Sequence, residues 1–407
     1  MTWKAFANTN YWDTDGSAYL DADWSSSNWN LDSGGGAMGA YQPWNSSSNN
    51  YAIFSADTDA TGHSTIAADL DVTLLGLTVE EGDITISADV GSITLSGNAD
   101  FNVADGSNLT IDEPVLYSGY TLNKTGEGLL TFGGGVGGAT TINQGKIDIA
   151  SGLDLSSGLF TGTSGAGTAK SVIGGLGTVD SVTIGSDNGE IDFISPGLGY
   201  STSLSNASSL KQNPSGRTSG AVGKFTTDTL NWNGGGVYDW EIKTFTKDDS
   251  ANHTKFDVLS VGTINFGDLS SNAYTVNIMS VSNDAGSIGA VTNPDQTWQN
   301  HLGSNGFKFL TASTVSGMSA TGNNVSDYFN IRSDDFYYTN NNWMGTWGVY
   351  RTGNDFYLTY SAAPEPSTYV MISTLFLFIG GNRSSRKTMG SIFTNLKNKF
   401  SKKEKKL

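Results

Sequence analysis

Short apolar–polar–apolar triplets recur at a nearly constant spacing in this chain, and this periodicity constrains the fold more than any other feature. Their centres lie 7, 9, 8 and 8 residues apart, in Leu77–Val79, Ile84–Ile86, Ile93–Leu95, Phe101–Val103 and Leu109–Ile111. Each triplet is typical of a strand with one buried face, and the Gly, Asp and Asn residues between triplets are typical of turns. Three steps make about 24 residues, which predicts one coil of a three-sided parallel β-helix.

The same spacing also fits a β-sandwich. We favour stacked coils because the triplets are too short for ordinary hairpins. No Asn-Gly or Asp-Gly turn pairs them consistently either. The fold expected from the sequence is therefore all-β, with a single-stranded parallel β-helix (a β-solenoid) as the body over residues 57–270.

Composition agrees with a turn-rich β protein. The 407 residues include 52 Gly but only 22 Lys plus Arg, and there is no Cys. Without disulfides or thiolates, stability has to come from backbone ladders and stacked side chains.

Both ends of the body are rich in aromatic residues set among turn residues. An open end of a solenoid would expose its core and an unpaired strand edge, so bulky side chains are expected to cover it. We expect a Trp/Asn-rich β cap at 1–56 and a second β-rich cap at 271–361. The tryptophans that indicate these caps are Trp12, Trp24, Trp29, Trp44, Trp298, Trp343 and Trp347.

One segment, residues 122–149, alternates strand-like stretches with glycine corners. It resembles the autotransporter-associated β-strand repeat, in which Leu-x-Lys-x-Gly-x-Gly-x-Leu-x-Leu precedes a Gly/Asn-rich turn and Thr-x-Ile-x-x-Gly-x-Leu. The matching residues are Leu122, Lys124, Gly126, Gly128, Leu130, Phe132, Thr140, Ile142, Gly145 and Ile147. The chain departs from the family in having one clear repeat and an insertion-like segment at 199–220. The resemblance implies a surface-displayed bacterial β-solenoid.

The last forty-odd residues differ from the body. Pro364, Glu365, Pro366 and Ser367 precede an apolar run at 369–379, and a basic cluster follows the run. The prolines keep the motif extended and open to an enzyme that reads strand-like peptide. The apolar run spans only about 17 Å as a helix, so a short membrane helix is predicted over 368–381. Arg383, Arg386 and Lys387 would hold its far end on the cytoplasmic side.

This constellation resembles the PEP-CTERM sorting signal, expected here at 362–387. The resemblance implies recognition by exosortase, a membrane-embedded cysteine transpeptidase inferred to cut near Pro364–Pro366. A basic tail at 388–407 follows where the family normally stops, and it is expected to lie on the inner leaflet. Export also requires the Sec machinery. Since residues 1–11 lack the features of a signal peptide, we expect the export signal to lie upstream of Met1.

Charge divides the chain at the same place. From Pro364 onward, nine basic and two acidic residues give +7, which leaves −24 for the body out of a net charge of −17. An acidic body repels nucleic acid and anionic lipid, whereas a basic tail beside an apolar run suits the negative cytoplasmic leaflet. The division predicts that the body and the tail lie on opposite sides of a membrane and that the chain has no nucleic-acid partner.

The residues of common active sites are sparse. His63, His253 and His301 stand in polar loops without a second His at metal or triad spacing. Calcium at Asp13–Gly16 or Asp57–Asp59 is a weak alternative, because the known loop patterns are absent. No metal, cofactor or catalytic residue is expected.

The predicted function is a non-enzymatic structural or adhesive protein of the surface or extracellular matrix of a Gram-negative-type bacterium, with exopolysaccharide as a further partner. Two alternatives stay open. One is glycan binding, since aromatic rings suit sugar faces; its candidate residues are Tyr337, Tyr338, Trp343, Trp347 and Tyr350. The other is a β-helix polysaccharide-degrading enzyme using a carboxylate pair, which is disfavoured because basic residues are scarce along the body.

Overall fold

The structure is a computed structural model of the chain. It describes residues 8–12, 21–33, 41–46, 50–54, 62–87, 89–162, 170–185, 192–197, 222–244, 253–267, 273–281, 306–318, 324–333, 336 and 345–362. Of these residues 69% lie in strands and 2% in helices. The prediction of an all-β chain is therefore confirmed.

The strands form two sheets. Sheet A has fourteen strands. In spatial order they are β3 (Trp29–Asn30), β1 (Thr9–Trp12), β4 (Asn50–Phe54), β6 (Val72–Val79), β8 (Ile93–Val103), β10 (Val115–Thr125), β12 (Val136–Ile142), β14 (Asp154–Gly162), β16 (Thr178–Ile184), β18 (Lys224–Trp232), β20 (Val258–Phe266), β22 (Phe307–Ser316), β25 (Asp355–Ala362) and β24 (Gly345–Thr352).

Sheet B has eleven strands. In spatial order they are β2 (Ala22–Asp23), β5 (His63–Ala67), β7 (Asp83–Ser87), β9 (Asn108–Ile111), β11 (Leu129–Phe132), β13 (Gly145–Ile149), β15 (Ser171–Gly175), β17 (Asp192–Pro196), β19 (Val237–Ile242), β21 (Tyr274–Ser280) and β23 (Phe329–Arg332). A short 3-10 helix, Ser326–Tyr328, precedes β23.

Successive strands from β4 to β22 alternate between the two sheets, and within each sheet they pair in parallel. Antiparallel pairing occurs near the two ends of sheet A, between β1 and β3 and between β22 and β25. Parallel neighbours require a crossover, and here the crossover is the intervening strand of the other sheet. Leu77 lies beside Phe101 in sheet A, and Ile84 beside Leu109 in sheet B.

The predicted triplets are present, and the strands that contain them belong to two sheets. Ile93–Leu95 and Phe101–Val103 both belong to β8, which shifts register against β6 and β10 between them. An irregularity in a strand bends it and breaks the ladder locally without starting a new sheet. Two successive triplets thus lie in one strand of sheet A, and the three-walled arrangement stays a prediction.

The two sheets bury one continuous apolar cluster that runs from Trp12 to Tyr360. Triplets contribute their outer members: Leu77, Val79, Ile84 and Ile86 are at most 6% exposed. The middle residue of each triplet points the other way, as period-2 alternation requires.

Aromatic rings gather at the β1–β3–β4 end of sheet A. Trp29 lies 5.0 Å from Trp12, 5.1 Å from Trp24 and 4.8 Å from Trp44, measured between ring centroids. All four rings are at most 6% exposed. The aromatic residues of the predicted N-terminal cap therefore cover the core at this end.

The chain divides into two compact units. One comprises residues 1–343 and 347–360, and contains most of both sheets. The other comprises 344–346 and 361–407, of which 345–346 and 361–362 are described. The predicted membrane segment 368–381 lies outside the described residues. Within the part of the chain that the structure describes, no helix has the length and apolarity needed to cross a bilayer.

Candidate functional site

The sorting residues that the sequence predicts, Pro364, Glu365, Pro366 and Ser367, lie outside the described residues. The same holds for the cations Arg383, Arg386 and Lys387 and for the basic tail 388–407. They stay predictions. The sites that the structure does describe are in the body, and they fall into buried polar groups and outward-facing columns.

One enclosed polar group is the amine of Lys124, in β10. The side chain is fully buried, and its Nζ donates to the backbone oxygens of Thr125 at 2.7 Å, Gly126 at 2.8 Å and Gln144 at 3.3 Å. Three acceptors satisfy the three donors of an ammonium. Because Gln144 follows β12, the parallel neighbour of β10, Lys124 joins the ends of two adjacent strands of sheet A.

Two glycines make room for this amine. Gly126 and Gly145 have φ angles of +71° and +83°, a region that other residues rarely adopt. A Cβ at Gly145 would lie 2.3 Å from the oxygen of Gly126 and 2.6 Å from the Nζ of Lys124. The Lys-x-Gly pattern of the segment at 122–149 thus has a structural reason: the corner encloses the lysine amine, and glycine leaves room for it.

Burial lowers the pKa of Lys124 from 10.5 to about 7. Between these values the unfolded chain binds more protons at this site than the folded chain, so the free energy of unfolding rises with pH. We expect the stability of the wild type relative to Lys124→Met to increase by about 3 kcal/mol between pH 7 and pH 9.5. Urea unfolding at both pH values measures this difference.

Leu130→Ala is the matched control for this experiment. Leu130 is fully buried in β11 and carries no ionisable group, so its loss of stability should be the same at both pH values. A difference for Lys124→Met that does not change with pH would show that the folded protein keeps the amine charged.

A second buried group is the carboxylate of Asp257. Its Oδ1 accepts from the backbone amide of Gly223 at 2.9 Å, and its Oδ2 from that of Glu241 at 3.0 Å. Burial raises the pKa of Asp257 well above its ordinary value, and the nearby Glu241 carboxylate raises it further. The carboxyl group is therefore a structural acceptor that joins β19 to the start of β20, and it is closed to solvent.

Polar and charged residues are also buried on the outward side of sheet B. Lys146 pairs with Asp148 at 2.8 Å, with both side chains 2% exposed. Val172, Phe193 and Val237 lie next to one another across β15, β17 and β19 and form a separate apolar cluster. This part of the outward face is not available to a ligand as it stands.

The described histidines do not assemble a catalytic or metal-binding group. His63 is exposed and contacts Thr65, with its Nε2 3.4 Å from the hydroxyl oxygen. Among the described residues, no set of three His, Asp or Glu side chains is placed to hold a metal ion. His301 and the candidate calcium segments Asp13–Gly16 and Asp57–Asp59 lie outside these residues.

The aromatic residues predicted for glycan binding differ in how far they are buried. Trp347 is 7% exposed and packs against Phe336 and Tyr360, with ring centroids 5.3 Å and 4.9 Å away. The sequence left two roles open for Trp347, covering the core as part of a cap or binding a glycan from an exposed position. Its burial fits the first role, because its ring completes the core beside β22. Tyr350 is half-buried, and Tyr337, Tyr338 and Trp343 lie outside the described residues.

An open aromatic residue occurs instead on the outward face of sheet A. Tyr51, in β4, is 42% exposed and lies beside Gly76 of β6. A Cβ at Gly76 would come within 2.9 Å of Cδ1 and 3.0 Å of Cε1 of the tyrosine, so this edge of the ring rests over the glycine. The next residues across the sheet are Asp100 and Asn123. The amide of Asn123 donates to the Asp100 carboxylate at 2.9 Å.

The sequence contains a signal for this arrangement in the alternation of residues 50–54. Asn50, Ala52 and Phe54 are buried, and alternation therefore turns Tyr51 outward. The neighbour of Tyr51 in the sheet depends on the number of residues between β4 and β6. That number has to be known to within one residue, because a shift of one residue turns the strand over.

Farther along sheet A, the same column continues as a polar ladder. Asn231 donates to Thr183 at 3.1 Å, Asn265 donates to Asn231 at 2.9 Å, and Ser316 donates to Asn265 at 2.7 Å. These residues satisfy one another across β16, β18, β20 and β22. The ladder therefore stabilises the parallel pairing of these four strands.

Comparisons with known protein families, with curated proteins and with solved structures found no match to this chain.

Proposed function

We propose that this chain is a structural or adhesive protein of the bacterial surface or extracellular matrix, with a parallel β-solenoid body. In this proposal the Sec machinery exports it and an exosortase-type enzyme recognises its Pro-Glu-Pro tail. The tail segment 368–381 spans the membrane until the enzyme acts. Pro364, Glu365 and Pro366 are thus residues on which a partner acts.

The alternation of strands between two parallel sheets supports the solenoid. Residues that pair within one sheet are 24 apart at Leu77 and Phe101, 17 apart at Leu130 and Ile147, and 51 apart at Ile264 and Val315. A stack of coils tolerates such variation because each coil contacts its neighbours and loops leave at the corners. The ladder from Thr183 to Ser316 is the side-chain pattern expected when coils stack in register.

The observation that carries the function is the composition of the tail together with its charge. The extended Pro-Glu-Pro motif, the short apolar run and the basic cluster occur in that order, and the charge changes from −24 to +7 at the same point. An acidic body and a basic anchor suit opposite faces of a membrane.

Deleting Pro364–Pro366 tests the sorting step. We expect the epitope-tagged wild type to be processed and displayed, and the deleted protein to stay unprocessed in the membrane fraction, because the extended recognition peptide is gone. Immunoblotting of fractions follows processing, and labelling of intact cells follows display.

Deletion of residues 388–390 is the matched control, since it removes the same number of residues beyond the basic cluster. It should leave processing unchanged. Equal processing and display of the wild type and the protein without Pro364–Pro366 would refute the sorting proposal.

Glycan binding is the second candidate function. The open ring of Tyr51, in the same column of sheet A as Asp100 and Asn123, favours this function. These residues replace the C-terminal aromatic residues that the sequence indicated.

A further inference from the structure

We propose that Tyr51, Gly76, Asp100 and Asn123 form a binding site for a neutral glycan chain on the outward face of sheet A. The site deepens the adhesive function proposed above, and it rests on that function for its biological setting. Its four residues occupy one column across β4, β6, β8 and β10.

The aromatic side of the site is Tyr51. One edge of its ring rests over Gly76, and 42% of the residue remains open to solvent. A sugar with its C–H groups on one face can cover such a ring, which removes apolar area from water on both partners. Any side chain at position 76 would push the ring out of this place, because even a Cβ comes within 2.9 Å of it.

The polar side of the site is the pair Asp100 and Asn123. Their hydrogen bond of 2.9 Å orients both side chains. It uses one oxygen of the carboxylate and one amide hydrogen, so the carboxylate keeps a further oxygen and the amide keeps its own oxygen and a second hydrogen. Adjacent hydroxyl groups of a sugar both donate and accept, and such a pair can bind them in a fixed orientation.

The spacing of strands sets the ligand's size and direction. Neighbouring strands are about 4.8 Å apart, so the column from Tyr51 to Asn123 extends about 14 Å across the sheet. This length suits a chain of several sugars that runs perpendicular to the strands, with one sugar over the ring and the next over the polar pair.

Charge decides which glycans fit. Asp100 is exposed, and the whole chain has a net charge of −17. A polysaccharide that carries carboxylates or sulfates would be repelled both at the site and at range. Neutral hexose chains carry no such penalty.

Isothermal titration calorimetry of the full chain with cellohexaose, laminarihexaose and hexagalacturonate tests the proposal. We expect binding of at least one neutral hexasaccharide and none of the acidic one. Tyr51→Ala should weaken the neutral ligand about tenfold or more, since the loss of an aromatic stacking partner is worth at least one factor of ten. Tyr51→Phe should stay within about threefold of the wild type, because it keeps the ring.

Tyr120→Ala is the matched control. Tyr120 is also 42% exposed and lies on sheet A, in the irregular part of β10, so it matches the exposed area without belonging to the column. Its replacement should change the affinity by less than about twofold. Gly76→Ala should weaken binding although it removes nothing, because it displaces the ring.

Three results would overturn the site: no affinity for either neutral hexasaccharide, equal losses for Tyr51→Ala and Tyr120→Ala, or tighter binding of hexagalacturonate. If the ring only covers Gly76 in support of the sheet, Tyr51→Ala lowers the urea midpoint and leaves calorimetry unchanged. Failure here does not bear on sorting, which is tested separately by deleting Pro364–Pro366.

Discussion

Replacing Gly145 by alanine is expected to destabilise the body by about 3 kcal/mol. Its φ of +83° disfavours any residue with a Cβ. The new Cβ would also lie 2.3 Å from the backbone oxygen of Gly126, 2.6 Å from Lys124 Nζ and 2.7 Å from the backbone oxygen of Gly128. Two of these atoms are backbone and cannot move without opening the corner. Urea unfolding followed by circular dichroism measures the loss.

Gly152→Ala separates the two causes of this loss. Gly152 has a φ of +81°, and a Cβ there would meet nothing within 4 Å. It should therefore cost only the backbone strain, about 1 to 2 kcal/mol. Equal losses at the two glycines would mean that the corner around Lys124 is not tightly packed.

Trp24→Ala is the second substitution with a large expected effect. Trp24 is fully buried, with ring centroids 5.1 Å from Trp29 and 5.6 Å from both Trp44 and Phe54. Its backbone oxygen also accepts the indole N–H of Trp29 at 3.0 Å. Removing a ring from such a cluster costs about 3 to 5 kcal/mol through lost burial and the cavity it leaves.

The site of the loss is as informative as its size. Because each strand of sheet A pairs with its immediate neighbours, loss of the N-terminal cluster should open the strands next to it first. Hydrogen exchange should therefore increase in β1, β3 and β4 before it increases in β18 or β20. Tyr41→Ala, which removes a 38% exposed ring from the same region, should have a small effect. Uniform exchange along the chain after Trp24→Ala would argue against a local cap.

The strands were predictable because the pattern that makes them is local. In Leu77–Val79 and Ile84–Ile86 the outer residues are buried and the middle residue is half-exposed, as two-residue alternation requires. The same reasoning identified the segment at 122–149 as a corner-forming unit. The local pattern could not show that the amine of Lys124 bonds to Gln144, because that contact depends on how β12 lies against β10.

Exposure of single aromatic residues was less predictable. The sequence left Trp347 either in a cap or in an exposed glycan site, and the neighbours that bury it include Phe336 and Tyr360. Tyr51 shows the opposite case, because its neighbours in β4 are buried and its own side chain is exposed. Local pattern decides which side of a strand a residue takes, whereas only the packed structure decides what covers that side.

The sequence by itself determined the all-β class, the side of the sheet on which each triplet residue lies, and the abrupt change of charge at the tail. These properties depend on residues close together in the chain. The tertiary structure decided that two successive triplets join in one strand, β8, and that Tyr51 lies beside Gly76 in line with Asp100 and Asn123. The physical reason is that paired residues of neighbouring parallel strands are 17 to 55 residues apart in the chain, and a change of one residue turns every side chain of a strand to the opposite face.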